Sequence, residues 1–382
     1  YDELSDHIKV ETKDPDLYPK FTSQYTDQTV AANSVIVVCG DKSKVVSNSD
    51  MWETSTNYQT YQTQTTGFDG EGQITSAITY VTSENNPKVY WVTGHGEASE
   101  SDLSTNFSDA VNKNNVEISD LALMTDDIPE DADELVIMSP TTDFSEDEAN
   151  KVITYLENGG KLLMFTSYTG TDMPNLDSIL ENYGVKRSSG IVVETDSQHY
   201  YPQMPYYLLP NIQSDDITTE VKSNYILMPV AQAIQKLDSY RDTITIKSLL
   251  TTTEDAYIEN DPENSTWSKS ADSETGAFDL GVSITETVDD KETQIIYFSS
   301  ASMLSSQIDQ AISGANSKLA ATALTSMCDV EQTVVIPSKS TSYTNLVFTQ
   351  GAVNTWSIIT IAGIPLVLVV IGVMIWMKRR KQ

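Results

Sequence analysis

Residues 133–167 read DELVIMSPTTDFSEDEANKVITYLENGGKLLMFTS, and this stretch decides the fold. It begins with an apolar run, Asp133–Ser139, followed by polar residues in which Ser145 is a good N-cap and Glu148 occupies the capping-box position. The pattern predicts a helix from Thr142 to Asn158, which two glycines end before a second apolar run, Lys161–Ser167. Apolar strands separated by a helix are typical of a parallel sheet that is covered on both faces.

The same alternation continues on both sides of this stretch. Strands are predicted at Lys88–Gly94, Val116–Leu123, Ile191–Glu194, Thr243–Thr253, Ala277–Val288 and Thr293–Leu304, and helices at Asp102–Lys113, Pro229–Leu237 and Lys318–Cys328. The polar stretch 254–276 is predicted to be an exposed loop. We therefore predict that residues 86–330 form a flavodoxin-like (amidotransferase-like) α/β domain with a doubly wound parallel sheet.

Residues 1–83 predict a smaller α/β unit. The pattern indicates a strand from Ile8, a short helix at Leu17–Tyr25, a strand at Ser34–Gly40 that turns at Asp41-Lys42, a loop over 52–66, and a helix at Gly72–Ser83. This order suits an incomplete thioredoxin-like unit that lacks its first strand. Because the sequence begins at Tyr1 rather than Met, we expect it to be a fragment that has lost an upstream part.

The C-terminal end predicts a membrane anchor. Ile358–Met377 carries no charged residue, and at about 1.5 Å per residue it crosses a hydrocarbon core of roughly 30 Å. We assign a transmembrane helix to 356–377, with Pro365 as a kink, a Ser/Thr-rich stalk to 331–355 and a basic cytoplasmic tail to 378–382. The positive tail predicts that the bulk of the chain lies outside the cytoplasm, at the cell membrane.

Composition excludes several classes of partner and cofactor. The chain has 23 Lys and Arg against 55 Asp and Glu, a formal net charge of −32. A surface this negative repels nucleic acid and anionic headgroups, so neither is a predicted partner of the ectodomain. Cys39 and Cys328 belong to no CxxC or Cys/His cluster, which excludes a predicted zinc or iron–sulfur site. The two cysteines either pair or stay free, and a free buried thiol is the expected state of Cys39.

One motif invites a catalytic interpretation. Thr93-Gly94-His95-Gly96-Glu97 follows the first predicted parallel strand, where ligands of such folds collect. His95 and Glu97 have the side chains of a base and its orienter, but no nucleophile accompanies them. The alternative is structural: two glycines form the turn, while His95 and Glu97 bond to neighbouring loops. The nucleophile motif GxSxG is absent from the sequence. The phosphate-binding motif GxxxxGK[ST] is also absent, so the chain is not predicted to be an ATPase.

A second candidate site is the loop that contains Tyr200, Tyr201, Tyr206 and Tyr207. Exposed tyrosines stack on sugar rings or on a partner's surface, whereas packed ones would lie beneath the loop itself. The acidic run from Asp126 to Glu134 lacks the spacing and glycine of a calcium loop, so we expect a solvated turn there. We predict no metal and no cofactor.

Several segments resemble one family when they are taken in order. Lys88–Glu97, Asp127–Pro140, Phe144–Phe165 and Asn182–Val185 are similar to segments of the GldG-like auxiliary proteins of ABC transporters. The chain departs from that family at Ser299–Ser302, where the family tends to have an acidic Gly-Asp-Ser type of turn. The family's N-terminal membrane segment is also missing here.

The resemblance implies a membrane-tethered ectodomain that accompanies an ABC-2-type permease and a cytoplasmic ABC ATPase. Its central domain would be similar to one in intraflagellar transport proteins. We therefore predict a non-enzymatic auxiliary subunit of a transport system. The alternatives are a cell-surface module that binds glycan or peptide through the tyrosine loop, and a hydrolase built on His95 and Glu97.

Overall fold

The computed structural model describes residues 1–382 except 2, 4, 15–16, 19, 27–28, 58–61, 84–85, 264–265, 329–335, 337, 341–347 and 381–382. The chain divides into two compact units. Residues 1–87, 112–116 and 330–344 form the first unit, and residues 88–111, 117–329 and 345–382 form the second.

The first unit consists of short hairpins and a helix. Its elements are β1 (Val35–Cys39), β2 (Lys42–Val46), β3 (Trp52–Asn57), β4 (Gln62–Phe68) and α1 (Gly70–Thr82). β1 and β2 pair antiparallel around the predicted turn, and β3 pairs with β4 in the same way. Val46, Met51 and Ala77 form a small core. The predicted first hairpin and the final helix are therefore confirmed.

Other predictions for this unit were wrong. The predicted loop 52–66 contains β3 and β4, because its many threonines are β-branched and favour a pleated strand even without an apolar face. The predicted helix Leu17–Tyr25 is reduced to one 3-10 turn, Thr22–Gln24, and residues 8–14 contain no strand. Cys39 is free and exposed rather than buried, since it ends β1 beside the turn.

The second unit begins with alternating strands and helices, as predicted. In chain order these are β5 (Lys88–Thr93), α2 (Thr105–Lys113), β6 (Glu117–Ala122), β7 (Glu134–Met138), α3 (Glu146–Glu157), β8 (Lys161–Phe165) and α4 (Pro174–Asn182). Every residue of β7 is buried, as are the last four of β8. This burial explains why both strands are continuous apolar runs rather than alternating ones.

An antiparallel region follows. Its strands are β9 (Val185–Val193), β10 (Tyr200–Tyr201), β11 (Met204–Leu208), β12 (Asn211–Ile212), β13 (Met228–Pro229), β14 (Gln232–Lys236), β15 (Ile244–Thr251), β16 (Tyr257–Glu259), β17 (Asp279–Val288) and β18 (Lys291–Phe298). β16, β9, β14, β17 and β18 extend the sheet side by side, while β10, β11 and β13 form a separate small sheet. The chain therefore has a mixed α/β fold with one large central sheet.

The parallel strands of the large sheet have a defined order. β6, β5, β7, β8 and β18 are neighbours, and all four pairings between them are parallel. Numbered by their position in the chain, these five strands run 2-1-3-4-5. β5 and β7 are thus adjacent although β6 lies between them in sequence, and the loops that follow these two strands meet at one edge of the sheet.

Three predictions in the antiparallel region were wrong. The predicted helix Pro229–Leu237 is instead β13 and β14, because Val230 has φ +54° and breaks a helical path, and the Ala233 N–H donates to the Ser188 hydroxyl. The tyrosine segment is a hairpin rather than a loop, since β10 pairs with β11. The predicted exposed loop 254–276 contains the short strand β16.

Two helices, α5 (Ser306–Ala311) and α6 (Ala315–Met327), follow β18 and confirm the last predicted helix. They are fixed by Asp309, which is fully buried. Its carboxylate accepts hydrogen bonds from Ser104 Oγ and Asn106 Nδ2 at 2.8 Å, and from the backbone N–H and the hydroxyl of Ser317. Asp309 therefore joins the start of α2 to α6.

Cys328 at the end of α6 is free and buried. Its Sγ donates to Glu134 Oε2 at 3.2 Å. Burial raises the pKa of the Glu134 carboxyl well above 4.5, which favours its neutral form. A neutral carboxyl removes the cost of a buried charge at the start of β7.

The C-terminal segment is one continuous helical rod. It comprises α7 (Gln350–Ile358), a π-helical turn at Ile359–Gly363 and α8 (Ile364–Arg380). The π turn lies just before Pro365, which has no N–H to donate to the preceding turn. The predicted stalk extended to residue 355, whereas the helix already begins at Gln350. A two-residue strand, β19 (Lys339–Ser340), belongs to the first unit and pairs with β4.

Replacing Asp309 tests the link between α2 and α6. Asp309→Ala leaves four donors without an acceptor, three of them on the buried residues Ser104 and Ser317, and we expect it to lower the free energy of unfolding by about 3 kcal/mol. The measurement is denaturant unfolding of the full chain in detergent. Gln307→Ala, an exposed change on the same helix, should cost less than about 0.5 kcal/mol. Equal effects of the two variants would contradict the role of Asp309.

Candidate functional site

The candidate site lies where the chain leaves β5. Gly94 has φ +123° and Gly96 has φ +77°, values that favour glycine, so the two glycines form the turn as expected. Gly96 also packs against the Thr141 side chain so closely that a Cβ at position 96 would overlap the Thr141 hydroxyl. This turn brings His95 and Glu97 inward, and their side chains are only 5% and 2% exposed.

The His95 ring lies between two carboxylates. Its Nδ1 is 3.3 Å from Glu97 Oε1, and its Nε2 is 3.2 Å from Glu148 Oε2. Glu97 turns back on its own loop, because its Oε2 accepts the His95 backbone N–H at 2.7 Å. Glu148 comes from the first turn of α3 and is equally buried. The structure therefore brings His95 and Glu97 together and adds a third titratable group.

Residues after β7 complete the enclosure. The backbone N–H groups of Thr141 and Thr142 both donate to the His95 carbonyl, at 2.9 and 3.0 Å. The Phe144 ring packs on the imidazole with 4.4 Å between ring centroids. Ser145 and Glu148 form the predicted capping box at the start of α3, with the Ser145 hydroxyl and N–H both donating to Glu148 Oε2. One carboxylate oxygen thus serves both the helix cap and the histidine.

The two carboxylates constrain the protons of the cluster. A neutral imidazole has one N–H, so it would donate to one carboxylate and turn a lone pair toward the other. A neutral imidazole between two carboxylates therefore has one attractive contact and one repulsive contact. Both contacts are attractive only if the cluster of His95, Glu97 and Glu148 holds one further proton. Burial raises the pKa of the Glu148 carboxyl, but the Ser145 hydrogen bonds and His95 outweigh burial and hold it below 4.5.

This geometry suits a structural cluster better than a catalytic one. Each ring nitrogen faces a carboxylate, and no hydrogen bond joins the ring to a hydroxyl or thiol among the residues described. His95 Nδ1, Glu97 Oε1 and Glu148 Oε1 are buried without a hydrogen-bond partner there. Within the described part of the chain, no group of three His, Cys, Asp or Glu side chains is arranged to hold a metal ion.

The tyrosine hairpin forms a separate surface. Tyr200 pairs with Leu208 and Tyr201 with Met204, around a turn in which Gln203 has φ +67°. The Tyr206 ring packs on Trp267 at 4.4 Å and on Tyr207 at 5.4 Å, with distances taken between ring centroids. Across the described residues, no hydrogen bond, ion pair or ring contact joins these tyrosines to His95. The two predicted sites are therefore distinct, and their roles remain predictions.

The acidic run is exposed at its Asp and Glu residues from Asp126 to Asp133, as expected, but its last residue, Glu134, is fully buried as the first residue of β7. Asp127 is 93% exposed and pairs with Lys151 at 3.0 Å. The Lys151 ammonium also donates to the carbonyls of Leu123 and Asp126, which joins the run to α3.

Comparison with known proteins decides the family. Residues 86–326 match a family of auxiliary proteins described as an ABC-type uncharacterized transport system. The chain belongs to this family. The match starts just before β5 and ends within α6, so it includes the histidine cluster, the tyrosine hairpin and the whole large sheet.

Outside this transport family the similarities are weaker. No curated protein matches the chain. Among solved structures, mmIFT52 N-terminal domain is similar at 15% identity and a TM-score of 0.46, with 63% of this chain and 96% of that one covered. Exo-beta-1,4-mannosidase Op5Man5 from Opitutaceae bacterium strain TAV5 is 10% identical with a TM-score of 0.32, over 66% of this chain and 37% of that one.

Sequence reasoning missed the second role of Glu148. The capping-box pattern identified this residue correctly as part of the start of α3. Its contact with His95 follows from the 2-1-3 order of β6, β5 and β7, which no local pattern shows. The sequence offers one signal for such a contact, which is a charged residue in the cap of a helix that follows a central strand. Helix caps at this edge of the sheet lie beside the loops of neighbouring strands.

A change at Glu148 tests the cluster. Because the pKa of Glu148 is lowered on folding, its stabilising contribution is complete above pH 4.5 and is lost as the pH falls through the lower folded value. Glu148→Gln should therefore cost about 2 kcal/mol at pH 7, and the difference from the unsubstituted chain should shrink below pH 4.5. Unfolding in denaturant across this pH range measures it.

Glu146→Gln is the matched control, since Glu146 is exposed in the same helical turn. It should cost at most about 1 kcal/mol through the helix dipole. A pH-independent difference for Glu148→Gln, or equal losses in both variants, would mean that the charge of Glu148 is not used in the cluster.

Proposed function

We propose that this protein is a GldG-like, membrane-anchored auxiliary subunit of an ABC-2-type transport system, with its folded part outside the cytoplasm. The observation that carries the proposal is a family match over 86–326 followed by an apolar helix long enough to cross a bilayer. The partners in this proposal are an ABC-2-type permease and a cytoplasmic ABC ATPase, together with the lipid bilayer.

The C-terminal rod supports the membrane part of the proposal. Gln350–Arg380 is 31 residues long, and its most apolar stretch of 18 residues has a mean hydropathy of 2.9 and is not buried against the rest of the chain. Ile361, Leu366 and Leu368 are 77%, 66% and 63% exposed, a state that costs free energy in water. A lipid environment removes this cost.

The flanking residues support the proposed orientation. Lys378, Arg379 and Arg380 form the last turn of α8, and no charged residue lies between Lys339 and Lys378. Basic residues close to a span stay in the cytoplasm, whereas acidic residues contribute little to orientation. The net charge of −32 therefore does not oppose an outward position of the folded part.

We also propose that the protein is not an enzyme. The membership of a transport-auxiliary family supports this view, as does a histidine whose two nitrogens are occupied by buried carboxylates. We further propose that the second unit is flavodoxin-like, for which the parallel order 2-1-3-4-5 is the support, and that the first unit is an incomplete thioredoxin-like unit.

Co-purification tests the transport partners. With an affinity tag after Gln382, the full chain gently solubilised from its native membrane should bring down a multi-span permease and an ATPase with a Walker motif. His95→Ala should retain both partners, because the proposed role needs no catalysis. Recovery of the chain without either partner, at a yield that shows intact solubilisation, would contradict the proposed function.

Protease accessibility tests the orientation. Protease added to intact cells or spheroplasts should remove residues 1–350 and spare the tag after Gln382, since the basic tail remains inside. Lysed cells, in which the tag is also digested, are the control. A protected folded part with a digested tag would invert the proposed orientation.

A further inference from the structure

The C-terminal rod is attached directly to the tyrosine hairpin. The Gly351 N–H donates to the Ser197 carbonyl at 2.6 Å, and the Gln203 N–H donates to Gln350 Oε1 at 2.9 Å. The hydroxyl of Thr349 accepts the Ala352 N–H as the cap of α7 and also bonds to Gln198 Oε1 at 3.1 Å. The first turn of the rod thus bonds to both ends of the segment 197–203.

The rod also packs closely against the segment 197–203, in addition to the hydrogen bonds between them. Gly351 is buried, and a Cβ at this position would overlap the Gln198 side-chain amide. The base of the segment is fixed by Glu194, which is 1% exposed and accepts hydrogen bonds from the backbone N–H groups of Thr195, Asp196 and Thr253. The hairpin therefore has a defined position beside the start of the rod.

This position sets the height of the hairpin above a bilayer. From Gln350 to the start of the uncharged apolar run at Ile358 the helix rises by about 12 Å, and less when it tilts. The headgroup layer on each side of the hydrocarbon is roughly 5–8 Å thick. In an untilted rod Gln350 therefore lies roughly 4–7 Å outside the headgroup layer. The hairpin turn, whose Gln203 bonds to Gln350, is at the same height, and its side chains reach toward the headgroups.

The segment 197–214, which contains the hairpin, has no Asp, Glu, Lys or Arg of its own in an otherwise acidic chain, 20% of whose residues are charged. Large apolar side chains are exposed around the start of the rod: Met204 at 38%, Phe348 at 49%, Val353 at 37% and Trp356 at 63%. Tyrosine, tryptophan and methionine beside a membrane span are suited to the boundary between headgroups and acyl chains.

We propose that the hairpin Tyr200–Leu208 rests on the outer surface of the bilayer, with phospholipid headgroups as its partner. The proposal depends on the membrane anchoring proposed above and adds a second contact to it. It also explains the missing charge, since an acidic residue at this height would meet the phosphates of the headgroups, whereas tyrosine and methionine would not. Tyr201 and Met204, which flank the turn, are the expected contact residues.

Photolabelling of the full chain in phosphatidylcholine vesicles tests the proposal. Two lipid probes are mixed, one with a diazirine on the headgroup and one with a diazirine near the glycerol end of an acyl chain, and labelled peptides are identified by mass spectrometry. We expect labelling in 200–208 as well as in 358–377. Peptides with Tyr225 and Tyr240, which are 45% and 41% exposed elsewhere in the second unit, should remain unlabelled and control for non-specific reaction.

A matched pair of glycine variants tests the attachment. Gly351→Leu overlaps Gln198 and should release the hairpin, so that labelling of 200–208 falls to the level of the Tyr225 and Tyr240 peptides while the span stays labelled. Gly372→Leu makes the same change in the same rod. A Cβ added at position 372 meets no atom within 4 Å apart from its two chain neighbours and the helix's own backbone, so this variant should leave both signals unchanged. Hairpin labelling that persists in Gly351→Leu would overturn the positioning role of the attachment.

The outcomes separate this inference from the proposed function. A labelled span with an unlabelled hairpin in the unsubstituted chain would overturn the lipid contact and assign the surface to a protein partner, while membrane anchoring stands. An unlabelled span and hairpin would instead contradict the anchoring itself. The unsubstituted chain alone distinguishes these two results, so the test does not require that Gly351→Leu folds.

Discussion

Parallel strands constrain the chain more than any other feature of this protein. Each new parallel strand starts only after the chain has crossed back over the sheet, so all the loops that leave the strands lie at one edge. In the second unit β5 and β7 are neighbours although β6 separates them in sequence. The glycine turn after β5 therefore meets the cap of α3, and His95 gains Glu148 as its second carboxylate. The histidine cluster is a consequence of strand order, because its sequence motif contains only His95 and Glu97, while Glu148 comes from α3.

Which elements can be predicted from the sequence depends on the same distinction between local and distant contacts. β7, α3 and β8 were predictable because burial on both faces and a capping box leave marks within a few residues. β14 was not, and Gln232–Lys236 was mistaken for helix. It is a strand because β9 and β17 lie on its two sides, and both partners are far away in sequence. β3 and β4 were missed for another reason, since polar threonine-rich strands show no apolar alternation.

An acidic chain must also bury some of its carboxylates, and here each one is neutralised or satisfied in a different way. Asp309 is surrounded by neutral donors, whereas Glu286 accepts two hydrogen bonds from the Arg241 guanidinium at 2.8 Å. Burial favours the neutral form of Glu134, and a single oxygen of Glu148 contacts both a helix cap and an imidazole. The cost of a buried charge therefore explains why Asp309 and Glu286 accept several hydrogen bonds each.

The start of the C-terminal rod is hydrogen-bonded to the folded part of the second unit. Gly351 bonds to the segment that begins at Ser197, and that segment continues into the hairpin of β10 and β11. The hairpin in turn is bonded to the end of the large sheet, because the Glu194 N–H donates to the Pro205 carbonyl at 2.9 Å. Backbone hydrogen bonds and the buried carboxylate of Glu194 thus connect the rod to the end of β9. If the rod spans the bilayer as proposed, these bonds hold the hairpin and the end of β9 beside the outer end of the span.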